Sequence, residues 1–249
     1  LDVLLGALTV MLTYLIMVKL IHRFRPSTGS KIEASIVFFS SAVAAFMVGF
    51  ADEFWNNAIE TETYMPSLFL SMLALWLTLR WCERNGEPKA SLNLFLAAYL
   101  LGLGNGIHLS VLLIAPTLFL IVLVTRPDWF RSPQLWLYSM LFLAGALIIK
   151  LFAGHEILYA TIAVFAFFAP AALYVLHKKS RQMWHFILIG LVLCGSLYVI
   201  GYSVYPTVMV RASKHPSINE GDPQTWGRYK SYLDREQYGQ GNMLAAMFT

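Results

Sequence analysis

The sequence predicts an all-α protein: a polytopic transmembrane helical bundle of about eight spans, followed by the start of an extracytoplasmic soluble region. Of the 249 residues, 58% are hydrophobic and 13% charged, and mean hydropathy is +0.62. A soluble domain is typically about a quarter charged. The apolar residues form continuous blocks of about 16–21 residues, long enough to cross a hydrocarbon core of roughly 30 Å. Basic residues gather in alternate loops, which also favours a membrane topology.

The predicted spans follow these apolar blocks in order. They cover residues 1–21, 33–51, 65–81, 92–107, 109–124, 135–153, 157–176 and 186–206. The fourth and fifth come from one apolar run interrupted by GLGNGIH, where we expect two glycine-interrupted helices to meet at a tight turn. Residues 1–206 therefore form the predicted membrane region, and residues 207–249 the polar start of an extracytoplasmic region.

Basic residues give the predicted orientation. Twelve of them lie in loops on one side: Lys19, Arg23, Arg25, Lys31, Arg80, Arg84, Lys89, Arg126, Arg131, Lys178, Lys179 and Arg181. The loops at 52–64, 104–108 and 154–156 contain no Lys or Arg. The positive-inside rule places the basic loops in the cytoplasm. The other three loops, together with 207–249, are then extracytoplasmic.

Several function classes are disfavoured by what the sequence contains. Short basic loops explain the net charge of +4 better than a nucleic-acid partner does. No Walker motif, dinucleotide-binding glycine pattern or His-Glu-x-x-His pair is present, which disfavours a nucleotide-driven pump and a soluble-type metalloprotease. Because Leu1 already lies inside an apolar run, we expect the chain to be an internal piece of a longer protein.

One acidic segment interrupts the apolar chain: FADEFWNNAIETETYMP at 50–66, with four carboxylates and no Lys or Arg. Trp55, Ile59 and Glu62 have the spacing of one helix face, while Glu60 and Tyr64 share another. Two interpretations stay open. The segment is an interfacial helix with Trp55 and Tyr64 as belt aromatics, or one or two of its acids point into a cavity and handle protons or hydroxyls.

Three further candidates lie at span ends. His108, beside Asn105, is either a cap or a substrate-facing residue. No cluster has the spacing of metal ligands, although His155 and Glu156 in another outer loop could approach His108. Arg211, just past the last span, either anchors the chain at the membrane interface or binds a phosphate through two guanidinium N–H groups.

Three ordered blocks carry a resemblance: FADEFWNNAIETETYMPSLFLSMLALWLTLRW, AAYLLGLGNGIHLSVLLIAPTLFLIV, and RASKHPSINEGDP with SYLDREQYG. They resemble the protein O-mannosyltransferase-like family of membrane glycosyltransferases, a GT-C-type group widespread in bacteria and long known only as a domain of unknown function. The resemblance covers most of the chain in the same order. It implies a GT-C-like fold in a bacterial inner membrane.

The resemblance also implies an activity. Such enzymes move a mannose-like sugar from a polyprenyl-phosphate carrier to an acceptor, a protein Ser or Thr hydroxyl or a glycan, on the outer face. The implied partners are the lipid-linked donor, the acceptor and the bilayer, with no nucleic acid. The resemblance implies no cofactor and leaves a divalent metal open. The principal acid of that fold lies in a loop that we expect upstream of Leu1, so this piece alone is expected to be inactive.

The residues that match the family blocks are the candidate site. The substrate-binding candidates are Trp55, Glu60, Glu62, Tyr64, Asn105 and His108, and Arg211 is the candidate for the carrier phosphate. The rival interpretation is a non-enzymatic transporter or lipid-binding scaffold that uses the same outer cavity. Polar residues inside the spans are few, with Glu33 and Lys150 near span ends, which disfavours transport.

Overall fold

A computed structural model of the protein describes residues 1–24, 29–60, 63–87, 89–127 and 181–233, with side chains described from residue 189 in the last range. These residues are mostly helical, and none of them lies in a β-strand. The helices are α1 (Asp2–Phe24), α2 (Lys31–Gly49), α3 (Asp52–Ile59), α4 (Tyr64–Glu83), α5 (Ser91–Asn105), a 3₁₀ segment (Leu109–Ile114), α6 (Ala115–Thr125), α7 (Arg181–Tyr202), α8 (Thr207–Ala212) and α9 (Trp226–Leu233).

Four described segments are long and apolar enough to cross a membrane: Asp2–Phe24, Lys31–Gly49, Tyr64–Glu83 and Ile189–Ala212. They correspond to the first, second, third and last predicted spans. The fourth and fifth predicted spans appear as shorter apolar helices, Ser91–Asn105 and Leu109–Thr125. The predicted spans 135–153 and 157–176 lie outside the described residues. The protein is therefore a helical membrane protein with four candidate spans in its described part.

The described chain falls into two compact units, one up to Ser203 and one from Val204 onward. In the first unit, α1 packs against α2, α3 and α4, α4 against α5, and α5 against α7. The largest buried cluster joins α4, α5 and α6 through Leu70, Ala74, Leu77, Ala97, Leu100 and Leu118. Continuous apolar sequence thus produces helices that bury one side against each other and leave many apolar side chains exposed, as expected of lipid-facing helices.

Glycines allow α5 and α7 to cross at backbone distance. A Cβ atom built on Gly102 would lie 2.0 Å from the Tyr198 carbonyl oxygen, and one on Gly201 would lie 2.3 Å from the Tyr99 carbonyl oxygen. Small residues at such crossings are typical of helix pairs in membranes. Gly102 belongs to the GLGNGIH run in which the sequence predicts a tight turn, but it lies within α5 and lets α7 approach.

Charged residues mark one end of the first unit. Lys19 near the end of α1 pairs with Glu83 at the end of α4. Arg126, just after α6, donates to the Asn85 side chain just after α4, with 3.4 Å between Nη1 and Oδ1. The carboxyl ends of α1, α4 and α6 therefore lie at the same end of the unit. The start of α4 lies at the opposite end, beside α3.

Candidate functional site

The short acidic helix α3 is held by apolar contacts with α1. Gly6 of α1 provides the space, since a Cβ atom there would lie 3.3 Å from the Ala58 Cβ and 3.8 Å from the Phe54 ring. Phe54 and Ala58 are four residues apart, so they share one side of the helix. Glu53 and Asn57 have the same spacing and line a cavity. Packing on Gly6 therefore fixes which side chains of α3 reach that cavity.

The other side of α3 faces away. Trp55 is 54% exposed and Ile59 is 61% exposed. The predicted continuation of this face to Glu62 is wrong as a single helix, because α3 ends at Ile59 and Glu60 is extended, with φ −78° and ψ 143°. For the same reason Glu60 and Tyr64 do not share a helix face. Glu60 is exposed, and Glu62 lies outside the described residues.

A cavity of about 740 Å³ lies between the end of α2, α3, the start of α4 and the 3₁₀ segment. Its polar lining residues are Glu53, Asn57, Tyr64, Ser71 and Ser110. Its apolar lining residues are Met47, Val48, Ala51, Phe54, Met65, Leu68, Leu113 and Ile114. Ligand pockets of about 300–1,000 Å³ combine an apolar wall with a few polar groups in this way. Tyr64 is the one substrate-binding candidate from the sequence among these lining residues.

His108 lies directly beside Tyr64. Their ring centroids are 4.9 Å apart, with an interplanar angle of 58°. His108 caps the 3₁₀ segment, because its Nδ1 accepts the Ser110 backbone N–H at 3.2 Å and lies 2.8 Å from the Ser110 Oγ. A backbone N–H can only donate, so Nδ1 is the acceptor and the neutral ring carries its proton on Nε2. The cap interpretation of His108 is correct, and the ring also supports two cavity-lining residues.

Asn105 lies at the crossing of α5 and α7. Its Nδ2 donates to the Tyr198 hydroxyl at 2.9 Å. Its Oδ1 is buried, and no described residue donates to it. Asn105 does not line the cavity, so its observed contacts are those of a residue that fixes α7 against α5.

The exposed Glu53 side chain has no protein partner among the described residues, as is also true of Asp52 and Glu60, whereas Glu83, Glu87 and Asp222 each form an ion pair. The Asn57 Nδ2 donates to the Glu53 backbone carbonyl at 2.7 Å. No described residue donates to the Glu53 carboxylate. An ionised carboxylate offers two acceptor oxygens, so both remain available on the cavity side of α3.

No three His, Cys, Asp or Glu side chains in the described ranges come close enough together to hold a metal ion. His155 and Glu156, which the sequence placed in another outer loop, lie outside those ranges.

Arg211 belongs to the second unit. It lies in the last turn of α8 and is exposed. In the same unit, the loop between α8 and α9 is organised by Asp222. The Asp222 Oδ1 accepts from the Asn219 Nδ2 at 2.7 Å and the Gln224 Nε2 at 2.8 Å, and Oδ2 accepts from the Arg228 Nη1.

These donors stabilise the ionised form of Asp222. The Gln224 amide, then the Arg228 charge and the Asn219 amide, hold the pKa of the Asp222 carboxyl below its ordinary value. Asp222 also has a left-handed backbone, with φ 42°. Asp tolerates that conformation better than most residues. Asp222 thus ties the INEGDP block to Gln224 and Arg228, which follow it in the sequence.

Sequence reasoning missed Glu53, Asn57 and Ser110. A local signal existed for the first two, since their spacing of four residues is that of one helix face. Which face of α3 meets the cavity depends on Gly6, far away in the sequence. No helical pattern within the acidic segment contains that information.

Comparison with known proteins adds one finding. No curated protein and no solved structure matches the chain. The family model of the protein O-mannosyl-transferase TMEM260 N-terminal domain matches residues 1–130, which is more than half of the 249 residues. Every described residue that lines the cavity lies within this match. The chain belongs to the protein O-mannosyl-transferase TMEM260 N-terminal domain family.

Proposed function

We propose that this chain is the membrane part of a GT-C-type glycosyltransferase that moves a mannose-like sugar from a polyprenyl-phosphate carrier to a protein Ser or Thr hydroxyl. The observation that carries the proposal is the cavity of about 740 Å³, whose described lining residues all belong to the family match. Its mixture of one carboxylate, hydroxyls and an apolar wall suits a sugar attached to a lipid.

The orientation in the membrane is part of the proposal. Lys19 and Arg126 lie at the end of the first unit that holds the ends of α1, α4 and α6. The positive-inside rule assigns that end to the cytoplasm. The cavity lies beside the start of α4, at the opposite end, and is therefore assigned to the extracytoplasmic face.

The proposed reaction is a displacement at the anomeric carbon. A carboxylate takes the proton of the acceptor hydroxyl while the hydroxyl oxygen bonds to the anomeric carbon, and the bond from that carbon to the phosphate oxygen breaks with its electron pair. General-base help of this kind contributes roughly 10²–10⁴ in rate. We assign the base to a carboxylate upstream of Leu1, which is the position the family resemblance implies.

The candidate residues then have different proposed roles. Tyr64 lines the cavity and His108 supports it, so both are assigned to the substrate pocket. Glu60 and Glu62 are assigned to binding the sugar, the acceptor or a divalent metal. Trp55, which is exposed, is assigned to the membrane interface and to substrate binding.

Two candidates are not among the residues that line the cavity. Asn105 is assigned a supporting role, because its amide bonds Tyr198 of α7 rather than facing the cavity. Arg211 is assigned to the carrier phosphate, since a guanidinium forks onto phosphate oxygens and this one is exposed.

The test uses the full-length protein in proteoliposomes with radiolabelled polyprenyl-phosphate mannose and a Ser/Thr-rich peptide. We expect label to reach the peptide, and we expect Glu62→Gln to abolish transfer without changing membrane insertion. Carrier-dependent movement of mannose into the vesicle lumen without any labelled peptide would support the rival transporter and contradict the proposal.

A further inference from the structure

The charge inside the cavity distinguishes between the parts of a lipid-linked sugar. Glu53 is the one charged residue among the described residues that line the cavity, and none of them is Lys, Arg or His. A phosphate placed there would meet a like charge, and the described lining residues offer no cation to offset it. The cavity therefore suits an uncharged ligand group rather than the phosphate of a carrier.

The hydrogen-bonding groups of the cavity match a group with several hydroxyls. Glu53 offers acceptor oxygens, and Tyr64 carries a hydroxyl that can donate or accept. The Ser110 hydroxyl donates its hydrogen to His108 Nδ1 and can still accept. Asn57 uses one N–H on the Glu53 carbonyl and keeps its Oδ1 and a second N–H. A single Ser or Thr hydroxyl would use only one of these groups. A sugar ring carries enough hydroxyls to bond several at once.

The remaining wall is apolar and partly aromatic. Phe54 and Tyr64 lie on the same cavity as Leu68 and Leu113. Aromatic rings pack against apolar C–H surface while a Tyr hydroxyl keeps a polar partner. One side of the cavity therefore suits the C–H face of a sugar.

We propose that Glu53 is a sugar-binding residue that accepts a hydrogen bond from a hydroxyl of the sugar being transferred. This inference rests on the proposed function and adds to it the carboxylate that recognises the donor. In this proposal Glu53 binds the sugar, and the proton transfer belongs to another carboxylate. Its effect is to favour donors that place a hydroxyl opposite its oxygens, because a sugar lacking that hydroxyl leaves the carboxylate without a partner.

The test compares Glu53→Gln with wild type in the full-length protein. The substrates are polyprenyl-phosphate mannose and its monodeoxy analogues, with a Ser/Thr-rich peptide as acceptor. In wild type, we expect one analogue to lose about tenfold or more in kcat/KM, the usual effect of removing one charge-assisted hydrogen bond. In Glu53→Gln, we expect that penalty to shrink to about threefold or less, because the two changes remove the same contact.

The penalty is a ratio of kcat/KM values measured on one preparation, so it does not depend on the fraction of folded enzyme. Glu53→Asp should restore part of the penalty, since Asp keeps the carboxylate but its shorter side chain places it farther from the sugar. Asp52→Asn is the matched control: it removes one carboxylate from the same helix turn but does not line the cavity. It should leave every penalty at its wild-type value.

Two outcomes overturn the inference and leave the proposed function standing. One is that Glu53→Gln transfers mannose as well as wild type does and shows the wild-type loss of kcat/KM with every deoxy analogue. The other is a variant in which only the KM for the peptide rises, which would assign Glu53 to the acceptor. Absence of transfer by wild type with every mannose donor would instead overturn the proposed function and the inference together.

Discussion

Glu53 and Asp222 are two carboxylates in short, polar segments of this chain, and their surroundings differ completely. Asp222 accepts hydrogen bonds from Asn219, Gln224 and Arg228. The Glu53 side chain accepts none from the described residues, although it lines a cavity of about 740 Å³. Both segments look alike in the sequence, as acidic stretches without a catalytic motif.

The difference shows how a carboxylate's role depends on what fixes its position. Asp222 is held by its own hydrogen bonds, so its acceptor oxygens are used within the protein. Glu53 is held by its neighbours, because Phe54 and Ala58 seat α3 on Gly6. Packing positions the group while its oxygens stay available for a ligand. Asp222 is thus a structural residue, and Glu53 is the one available for recognition.

The largest effect is expected from a change that disturbs the packing of α3 on Gly6, because that packing positions Glu53. Gly6→Leu should lift the helix, because even a Cβ atom there would lie 3.3 Å from the Ala58 Cβ. A misplacement of about 1 Å can cost roughly 100-fold in rate, so we expect about that loss in kcat/KM for sugar transfer. Gly6→Ala is the graded control and should lose much less. Equal rates for wild type and Gly6→Leu would contradict the packing argument.

A weaker effect is expected at Asp222, and it should appear in the order of the loop rather than in chemistry. Asp222→Ala removes the acceptor of three donors and places Ala at φ 42°, which costs roughly 1 kcal/mol for a residue that disfavours this backbone. We expect limited proteolysis between α8 and α9 to be about fivefold faster or more. Asp222→Asn keeps one side-chain acceptor oxygen, and Asn tolerates the positive φ. Its loop should therefore be digested faster than that of wild type and more slowly than that of Asp222→Ala. Identical digestion of all three proteins would show that the network does not order the loop.

The pH dependence of the loop should be confined to acid. Because the folded Asp222 pKa lies below its ordinary value of 3.8, the stabilisation is complete above that pH and is lost as the pH falls through the lowered pKa. Arg228→Met removes a cation, so the loss should begin at a higher pH. Pepsin digestion of both proteins at matched pH values measures this, and an unchanged onset in the variant would show that Arg228 does not stabilise the carboxylate.

The smallest expected effect is on the stability of α3. Asp52→Asn and Glu53→Gln each remove one charge from the first helix turn, worth about 0.3–1 kcal/mol. Since the Glu53 side chain has no described protein partner, the two variants should unfold within about 0.5 kcal/mol of each other. Thermal unfolding in detergent compares them. A much larger loss for Glu53→Gln would reveal a structural partner and weaken the contrast with Asp222.

The sequence predicted the positions of the long apolar helices, which depend on hydropathy alone. Spans 1–21, 33–51 and 65–81 agree with α1, α2 and α4 to within about three residues, because uninterrupted apolar runs have few alternatives to a spanning helix. The turn after Asn105 was also predicted from its glycines. The 3₁₀ geometry of Leu109–Ile114 was not, since it depends on the His108 cap.

The site was less predictable because it depends on contacts between distant parts of the chain. Helical spacing grouped Trp55 with Glu62, yet α3 stops at Ile59. The family resemblance indicated Tyr64 and His108, which the structure brings together at 4.9 Å. It did not indicate Glu53, whose direction follows from a glycine in α1.

Occupation of the cavity by the sugar can be measured directly with a thiol. In a Cys82→Ala, Cys194→Ala background, Asn57→Cys places a thiol on the cavity lining, and Asn56→Cys places one on the exposed neighbouring position. We expect polyprenyl-phosphate mannose to slow alkylation of the thiol introduced by Asn57→Cys, while mannose-free polyprenyl phosphate has little effect. The Asn56→Cys protein should be alkylated at the same rate with either lipid and without them. Equal alkylation of Asn57→Cys with and without the mannosylated carrier would contradict a sugar-binding role for this cavity.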